Sequence, residues 1–142
     1  MEKSIALLKA KGYKITPQRR AVLMAINTCE KFPTVHQILE VVHQQQPDVS
    51  LDTVYRNLAL LTELGLVHEI HRSAGTVYEA VEPGHHHHHL VCTECGKTEC
   101  LDICPMNTIY EKEAEKRGFL VTGHSFEVYG LCWSCRHKAA KK

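Results

Sequence analysis

Two short cysteine pairs, Cys92-Thr-Glu-Cys95 and Cys132-Trp-Ser-Cys135, constrain this chain more than any other feature. A Cys-x2-Cys pair sets two sulfurs on one tight turn, and two such pairs supply the four thiolates of a closed tetrahedral zinc site. The chain between residues 96 and 131 must therefore return to where it began. That stretch is longer than a compact zinc ribbon needs, so the zinc is expected to tie together the two ends of a strand-helix-strand unit. A chain of 142 residues suits one ordinary domain or two small ones, each short of core, and a structural metal relieves that shortage. Seven cysteines are an odd number, and no apolar leader follows a charged start, so reduced thiols and a cytoplasmic location are expected. The longest apolar stretch, from Leu58 to Val67, is too short and too interrupted to span a bilayer.

The net charge of +1 marks no nucleic-acid binder, but it is unevenly spread. Among the first twenty residues Lys3, Lys9, Lys11, Lys14, Arg19 and Arg20 are opposed only by Glu2. Such an end suits phosphate contacts, or is simply a solvated basic face. Helical signals follow. Thr16-Pro17 reads as an N-cap with proline at the first helical position, ahead of Val22, Ala25, Ile26 and Cys29 at helical spacing, which makes Cys29 a core residue. Thr34 with Gln37 makes a capping box before Val35, Ile38, Leu39 and Val42. Ser50 caps a third helix that turns Leu51, Val54, Leu58 and Leu61 inward and ends near Gly65. Its other face is expected to carry Thr53, Tyr55, Arg56 and Asn57, beside a positive helix end. Leu66 to His71 and Thr76 to Glu79, joined by Arg72-Ser-Ala-Gly75, read as a hairpin. Three helices and a hairpin outline a winged helix-turn-helix; a small helical bundle fits the same periodicity.

Val81-Glu-Pro-Gly84 reads as a hinge, because proline and glycine stop both neighbouring patterns. The expected organisation is α+β: a winged helix over residues 1–80, a hinge over 81–84, and an α/β metal-binding domain over 85–142. In that second domain His85 to Cys92 and Lys97 to Ile103 read as strands, Pro105 to Arg117 as a helix, and Phe119 to Tyr129 as a longer strand. Strand alternation divides the histidine run, with His85, His87 and His89 on one face and His86 and His88 on the other, so the five cannot serve one ion.

Gly12-Tyr-Lys-Ile-Thr-Pro-Gln-Arg19, Asp52-Thr-Val-Tyr-Arg-Asn-Leu58, the histidine run leading into Cys92-Thr-Glu-Cys-Gly96, and Tyr129-Gly-Leu-Cys-Trp-Ser-Cys135 together resemble the ferric uptake regulator family, over nearly the whole chain and in the right order. The resemblance implies a homodimeric, metal-sensing repressor that binds double-stranded DNA at an inverted-repeat operator, with residues 85–142 as its α/β dimerisation domain. It puts Tyr55 and Arg56 in the major groove with Asn57 nearby, and makes Lys14 and Arg19 backbone contacts. Packing beneath the helix for Tyr55, and an i, i+4 pair with Asp52 for Arg56, are the plainer readings.

The resemblance also implies a regulatory site built from Glu79, His87, His89 and Cys100. Iron and peroxide sensors of the family usually add a histidine just before the helix that begins at Val35, where this chain has Phe32. His68 instead stands where zinc-uptake regulators carry a wing ligand. Cys100 brings a thiolate beside imidazoles, which favours zinc over oxygen-preferring ions. The subgroup most resembled is therefore the zinc-uptake regulators, with structural Zn2+ and regulatory Zn2+ or Fe2+; iron-sensing and peroxide-sensing repressors are the alternatives. Zinc-uptake regulators often carry a hinge cysteine where this chain has Val81-Glu82, so Glu79 and Cys100 substitute for it, or Glu82 coordinates instead. Cys100 and Cys104 are ligands, a redox pair or core thiols. A further family site would use His86, His88 and His124 with a helix carboxylate, but the matching position is Asn107, a poor ligand, which leaves another residue such as Glu111. No His-Glu-x-x-His helix or deaminase-like motif appears, so the chain does not read as an enzyme. A zinc hydrolase and a zinc-stapled interaction module remain the distant alternatives.

Overall fold

The computed structural model describes residues 1–29, 32–72, 74–82, 88–106 and 108–140, the side chains of the last two excepted. The chain divides into two compact units, Met1–His85 and His86–Lys142.

The first unit holds α1 (Glu2–Ala10), α2 (Pro17–Thr28), α3 (Val35–His43), α4 (Leu51–Glu63), β1 (Val67–Arg72) and β2 (Gly75–Ala80). Its helix starts follow the local chemistry. The Thr16 side chain accepts the Arg19 N–H ahead of Pro17, the Thr34 and Gln37 side chains cap each other's backbone N–H groups, and Ser50 accepts the Thr53 N–H. Helix α4 stops where Gly65 takes φ +74°, which lets Leu66 N–H reach back to the Leu61 carbonyl at 2.9 Å. Helix α1 adds a fourth helix to the three expected. It buries Leu8 and Ser4 and begins without a side-chain cap, so it owes its place to packing.

Val22, Ala25, Ile26, Ile38, Val42, Val54, Leu58 and Leu61 meet in one apolar core, closed by Leu66, Val67 and Tyr78 from the hairpin. Each fully buried aliphatic side chain contributes on the order of 1.5–3 kcal/mol. Cys29 is the C-cap of α2 and only half-buried, outside that core. Strands β1 and β2 pair antiparallel with His68 opposite Glu79. The hairpin is tied to the helices by Tyr78 N–H donating to the Pro33 carbonyl at 2.9 Å. Burial, then the nearby Glu69 and Tyr55, push the Tyr78 hydroxyl up to about 12, so it stays neutral.

The second unit holds β3 (His88–Cys92), β4 (Thr98–Leu101), α5 (Thr108–Lys116), β5 (Glu127–Gly130) and α6 (Trp133–Ala140). Strand β3 is central, antiparallel to β4 and parallel to β5. A parallel pair needs a crossover, which α5 supplies. The long strand expected over residues 119–129 shortens to Glu127–Gly130, because β3 offers it ladder partners only from His89 to Cys92. Helix α6, which no apolar stripe announces, begins inside the second cysteine pair. Among the described residues this unit buries few apolar side chains: Val91, Cys92 and Cys135. Helix α5 buries none.

Candidate metal centres and DNA-facing helix

Parallel pairing sets Cys92, at the end of β3, beside Gly130, at the end of β5. The two cysteine pairs therefore leave neighbouring strands at the same end of the sheet. The first turns back through Gly96 at φ +80°, with Gly96 N–H bonded to the Cys92 carbonyl at 3.0 Å. The second opens α6. All four sulfurs lie within 4.8 Å of one another, with Cys95 and Cys132 3.7 Å apart. A zinc tetrahedron with bonds of about 2.3 Å has edges of roughly 3.8 Å, so these residues fit that ion.

Backbone N–H groups around the cluster also suit negative sulfur: Cys132 N–H points at Cys92 Sγ and Lys97 N–H at Cys95 Sγ, each at 3.4 Å. The Cys132 N–H, with that of Cys95, lowers the Cys92 thiol to about 6. Hydrogen bonding to Cys132 and desolvation push Cys135 up to about 12. The crowded sulfurs cannot all ionise without a cation, which is how a metal-free thiolate site behaves.

A second cluster lies elsewhere in the same unit. His88 Nε2 is 3.4 Å from Cys104 Sγ, and His124 Nε2 is 3.3 Å from the same sulfur. The two rings lie 5.1 Å apart, and Phe126 stands edge-on to His88 at 5.8 Å. The three side chains form one group of potential ligands. His89, the next residue along β3, lies opposite Cys100 on β4 instead. The first unit holds a comparable pair across its hairpin, with His68 Nδ1 4.0 Å from Glu79 Oε2. His85, His86, His87 and Asn107 lie outside the described residues.

On α4, Tyr55 is 45% exposed, and Arg56 pairs with Asp52 at 2.9 Å with both side chains largely in solvent. Asn57 departs from the expected open face. It falls three residues after Val54 and four before Leu61, at the edge of the buried stripe, and is only 8% exposed. Its Oδ1 accepts from Arg19 Nε at 3.0 Å and its Nδ2 donates to the Thr53 carbonyl at 2.9 Å. Arg19 in turn donates to the Lys14 carbonyl at 2.6 Å and lies over the Tyr13 ring. Asn57 and Arg19 thus join α4 to α2 and to the basic loop before it. The capped starts of both helices line one open groove with Arg19.

The ferric uptake regulator family model matches residues 10–129. This chain belongs to the ferric uptake regulator family. The peroxide-responsive repressor PerR of Staphylococcus aureus is 32% identical over 97% of this chain and 93% of its own. Among solved structures, the Campylobacter jejuni peroxide stress regulator is 33% identical, with a TM-score of 0.62 over 92% of this chain and 98% of that one. A zinc uptake regulator bound to zinc and DNA is 25% identical, with a TM-score of 0.70 over 98% and 94%.

Membership makes the chain a metal-responsive transcription regulator and not an enzyme, which removes the hydrolase reading. Relatives named for ferric, manganese and zinc uptake and for peroxide stress leave the sensed metal open within the family. The winged helix and the sheet unit with its four cysteines are the architecture the family resemblance implied. No described helix is long and apolar enough to cross a membrane. The residue that sequence reasoning left unassigned is Cys104. It has no spacing signal, because 16 residues separate it from His88 and 20 from His124. Glu111, offered for that corner, sits in the first turn of α5 and is not in the group.

Proposed function

We propose that this family member is a homodimeric repressor that binds an inverted-repeat operator when zinc is abundant, and so controls metal-uptake genes. The observation that carries zinc is Cys100, a thiol directly opposite His89 in a donor set otherwise of imidazole and carboxylate. In this reading His68 and Glu79 from the wing engage the same ion as His87, His89 and Cys100. The bound ion supplies the cross-link that holds the two units in one arrangement. Metal and DNA then favour the same conformation, and each strengthens binding of the other. A nearly complete switch needs about 5.5 kcal/mol of differential binding.

Tyr55 and Arg56 read the major groove, with phosphates contacted by Lys14 and Arg19 and by the capped starts of α2 and α4. Asn57 contributes by holding Arg19. The exposed pair of Arg56 with Asp52 is weak enough to be exchanged for DNA. Dimerisation is supported by apolar surface the second unit leaves uncovered: Ile109 is 70% exposed, Phe119 71%, Leu120 87% and Trp133 73%. Exposed apolar side chains of this size call for a partner, and the family's members are dimeric.

The test is an anaerobic titration of protein that keeps its structural zinc but lacks the sensing metal, on an inverted-repeat operator. Zinc should raise operator affinity, and Cys100→Ser or His68→Ala should abolish the response. Affinity indifferent to metal addition and chelation would sink the mechanism. The similarity to peroxide-responsive relatives favours one second reading. In that case ferrous iron activates, both variants still respond, and hydrogen peroxide reverses the activation.

A further inference from the structure

Given α4 as the helix that reads DNA, we infer that His43 is a positioning residue for that reading: its ring pins the turn that delivers α4, and so sets where Tyr55 and Arg56 stand. Helix α3 ends at His43, and the chain reaches α4 through residues 44–50. Gln46 N–H closes back on the Val42 carbonyl at 2.8 Å, and Val49 N–H on the Gln46 carbonyl at 3.2 Å, around Pro47 and Asp48. Backbone bonds shape the turn that far and no further. Among the described residues no backbone N–H donates to the Val49 carbonyl. His43 Nε2 takes that place, 2.7 Å from the oxygen. A carbonyl only accepts, so Nε2 carries the proton.

The bond matters because of the peptide it holds. The Val49 carbonyl and the Ser50 N–H belong to one rigid plane, so fixing the first orients the residue that caps α4. Ser50 then accepts the Thr53 N–H at 3.1 Å and starts the helix. Val49 is buried with the core, where a carbonyl without a donor is destabilising. The far end of α4 is held by apolar packing, with Leu58 and Leu61 at most 1% exposed, whereas Ser50, Asp52, Tyr55 and Arg56 at the near end face solvent. Measured from Leu58, the start of α4 lies roughly 12 Å away, so a tilt of only about 5° moves it by about 1 Å. Hydrogen bonds to base edges tolerate a few tenths of an ångström. His43 holds this end of α4 from α3, as Arg19 and Asn57 hold it from α2. Unlike Arg19, His43 does not line the groove between the two capped helix starts, so its role is confined to the turn.

The experiment uses the full-length protein loaded with zinc or, where only iron activates, with ferrous iron. Two duplexes serve as probes: the inverted repeat that the unaltered protein selects from a random pool, and a scrambled duplex of equal length. His43→Leu keeps much of the bulk and loses the donor. It should lower affinity for the inverted repeat on the order of fivefold, the magnitude of one hydrogen bond, and leave scrambled-duplex affinity and the salt dependence unchanged. His43→Gln places an amide Nε2 where the imidazole Nε2 stands and should restore selectivity. His43→Asn, whose amide falls at the Nδ1 position, should not. Hydrogen exchange at the Thr53 and Val54 amides, which close the first turn of α4, should quicken in the Leu and Asn variants alone. Selectivity unchanged in His43→Leu, selectivity not restored in His43→Gln, or a loss shared equally by both duplexes would each overturn this role for His43. Tyr55→Ala separates it from the reading beneath it. Selectivity untouched by that variant would remove α4 as the reader and His43 with it, while selectivity lost there but kept in His43→Leu removes His43 alone. His43 is solvent-exposed, so these variants leave the fold intact, and an unchanged circular dichroism spectrum checks it.

Discussion

The two units of this protein reach stability by different means. The N-terminal unit buries a continuous apolar core across four helices and a hairpin. The C-terminal unit buries few apolar side chains among its described residues and leaves α5 without a single buried one. Four sulfurs and an uncovered apolar surface take the place of that core. A unit held by an ion and a partner copy responds to metal supply and to concentration, whereas a unit held by its own core does not. The helix proposed to read DNA sits in the insensitive unit and the candidate metal ligands sit mainly in the responsive one.

Removing the structural zinc should break this comparison most visibly. Apparent zinc binding energies in small domains are about 10–16 kcal/mol, more than a unit with so little core has to spare. Cys132→Ser should therefore unfold the second unit and abolish dimers, while the first keeps its dispersed amide resonances in a heteronuclear NMR spectrum. Loss of resonances from both units would mean that they do not stand independently. The converse change is Leu58→Ala, at a side chain 1% exposed in the first core. It should cost that unit about 2–5 kcal/mol of unfolding free energy, read as a lower denaturant midpoint, yet leave zinc content at the four cysteines unchanged.

Much of this division is legible along the chain, because its signals are local. Thr16-Pro17, Thr34 with Gln37, and Ser50 each act within one helical turn, and all three helices begin where those residues place them. The cysteine pairs are equally local, and parallel pairing of β3 with β5 brings them together. What the chain conceals is non-local. Cys104 acquires its neighbours only through the sheet, and α1 forms on packing without a capping residue. Asn57 reads as surface beside Tyr55 and Arg56, but one step of 100° around the helix turns it toward Arg19.

That inward turn gives the next prediction. Asn57→Ala leaves Arg19 Nε without its partner at a part-buried site, at a cost of about 1–3 kcal/mol. If Asn57 acts by positioning Arg19, the variant should bind all DNA sequences more weakly by a similar factor, with operator preference retained in competition assays. Selective loss at one base pair would instead make Asn57 a base reader. Zinc content and dimerisation should not move.

Acidity probes the other unit. Cys92 titrates near 6, below the ordinary thiol value, so the charge that helps hold the metal-free cluster is lost as pH falls through about 6. Cys135, pushed up to about 12, is still protonated at neutral pH and must give up its proton to bind metal. Zinc affinity should accordingly rise with pH above 6 and fall more steeply below it. Calorimetry in buffers of different ionisation enthalpy should also find fewer protons released than from four ordinary thiols, because Cys92 is already ionised.

The smallest effect is expected at Asp52, and it tests whether the proposed DNA-facing surface of α4 is tuned apart from stability. Asp52 pairs with Arg56 in solvent and stands in the first turn of its helix. The exposed pair contributes about 0.3–0.5 kcal/mol and the helix-end charge a comparable amount, so Asp52→Ala should lower the first unit's stability by less than about 1 kcal/mol. The same change removes a negative charge from the face proposed to meet DNA and releases Arg56 for the major groove. Operator affinity should then rise a few-fold at low salt despite the slightly less stable fold. The gain should shrink toward zero as salt screens the lost repulsion. Affinity that falls in step with stability would show that Arg56 needs Asp52 to hold it in place for DNA.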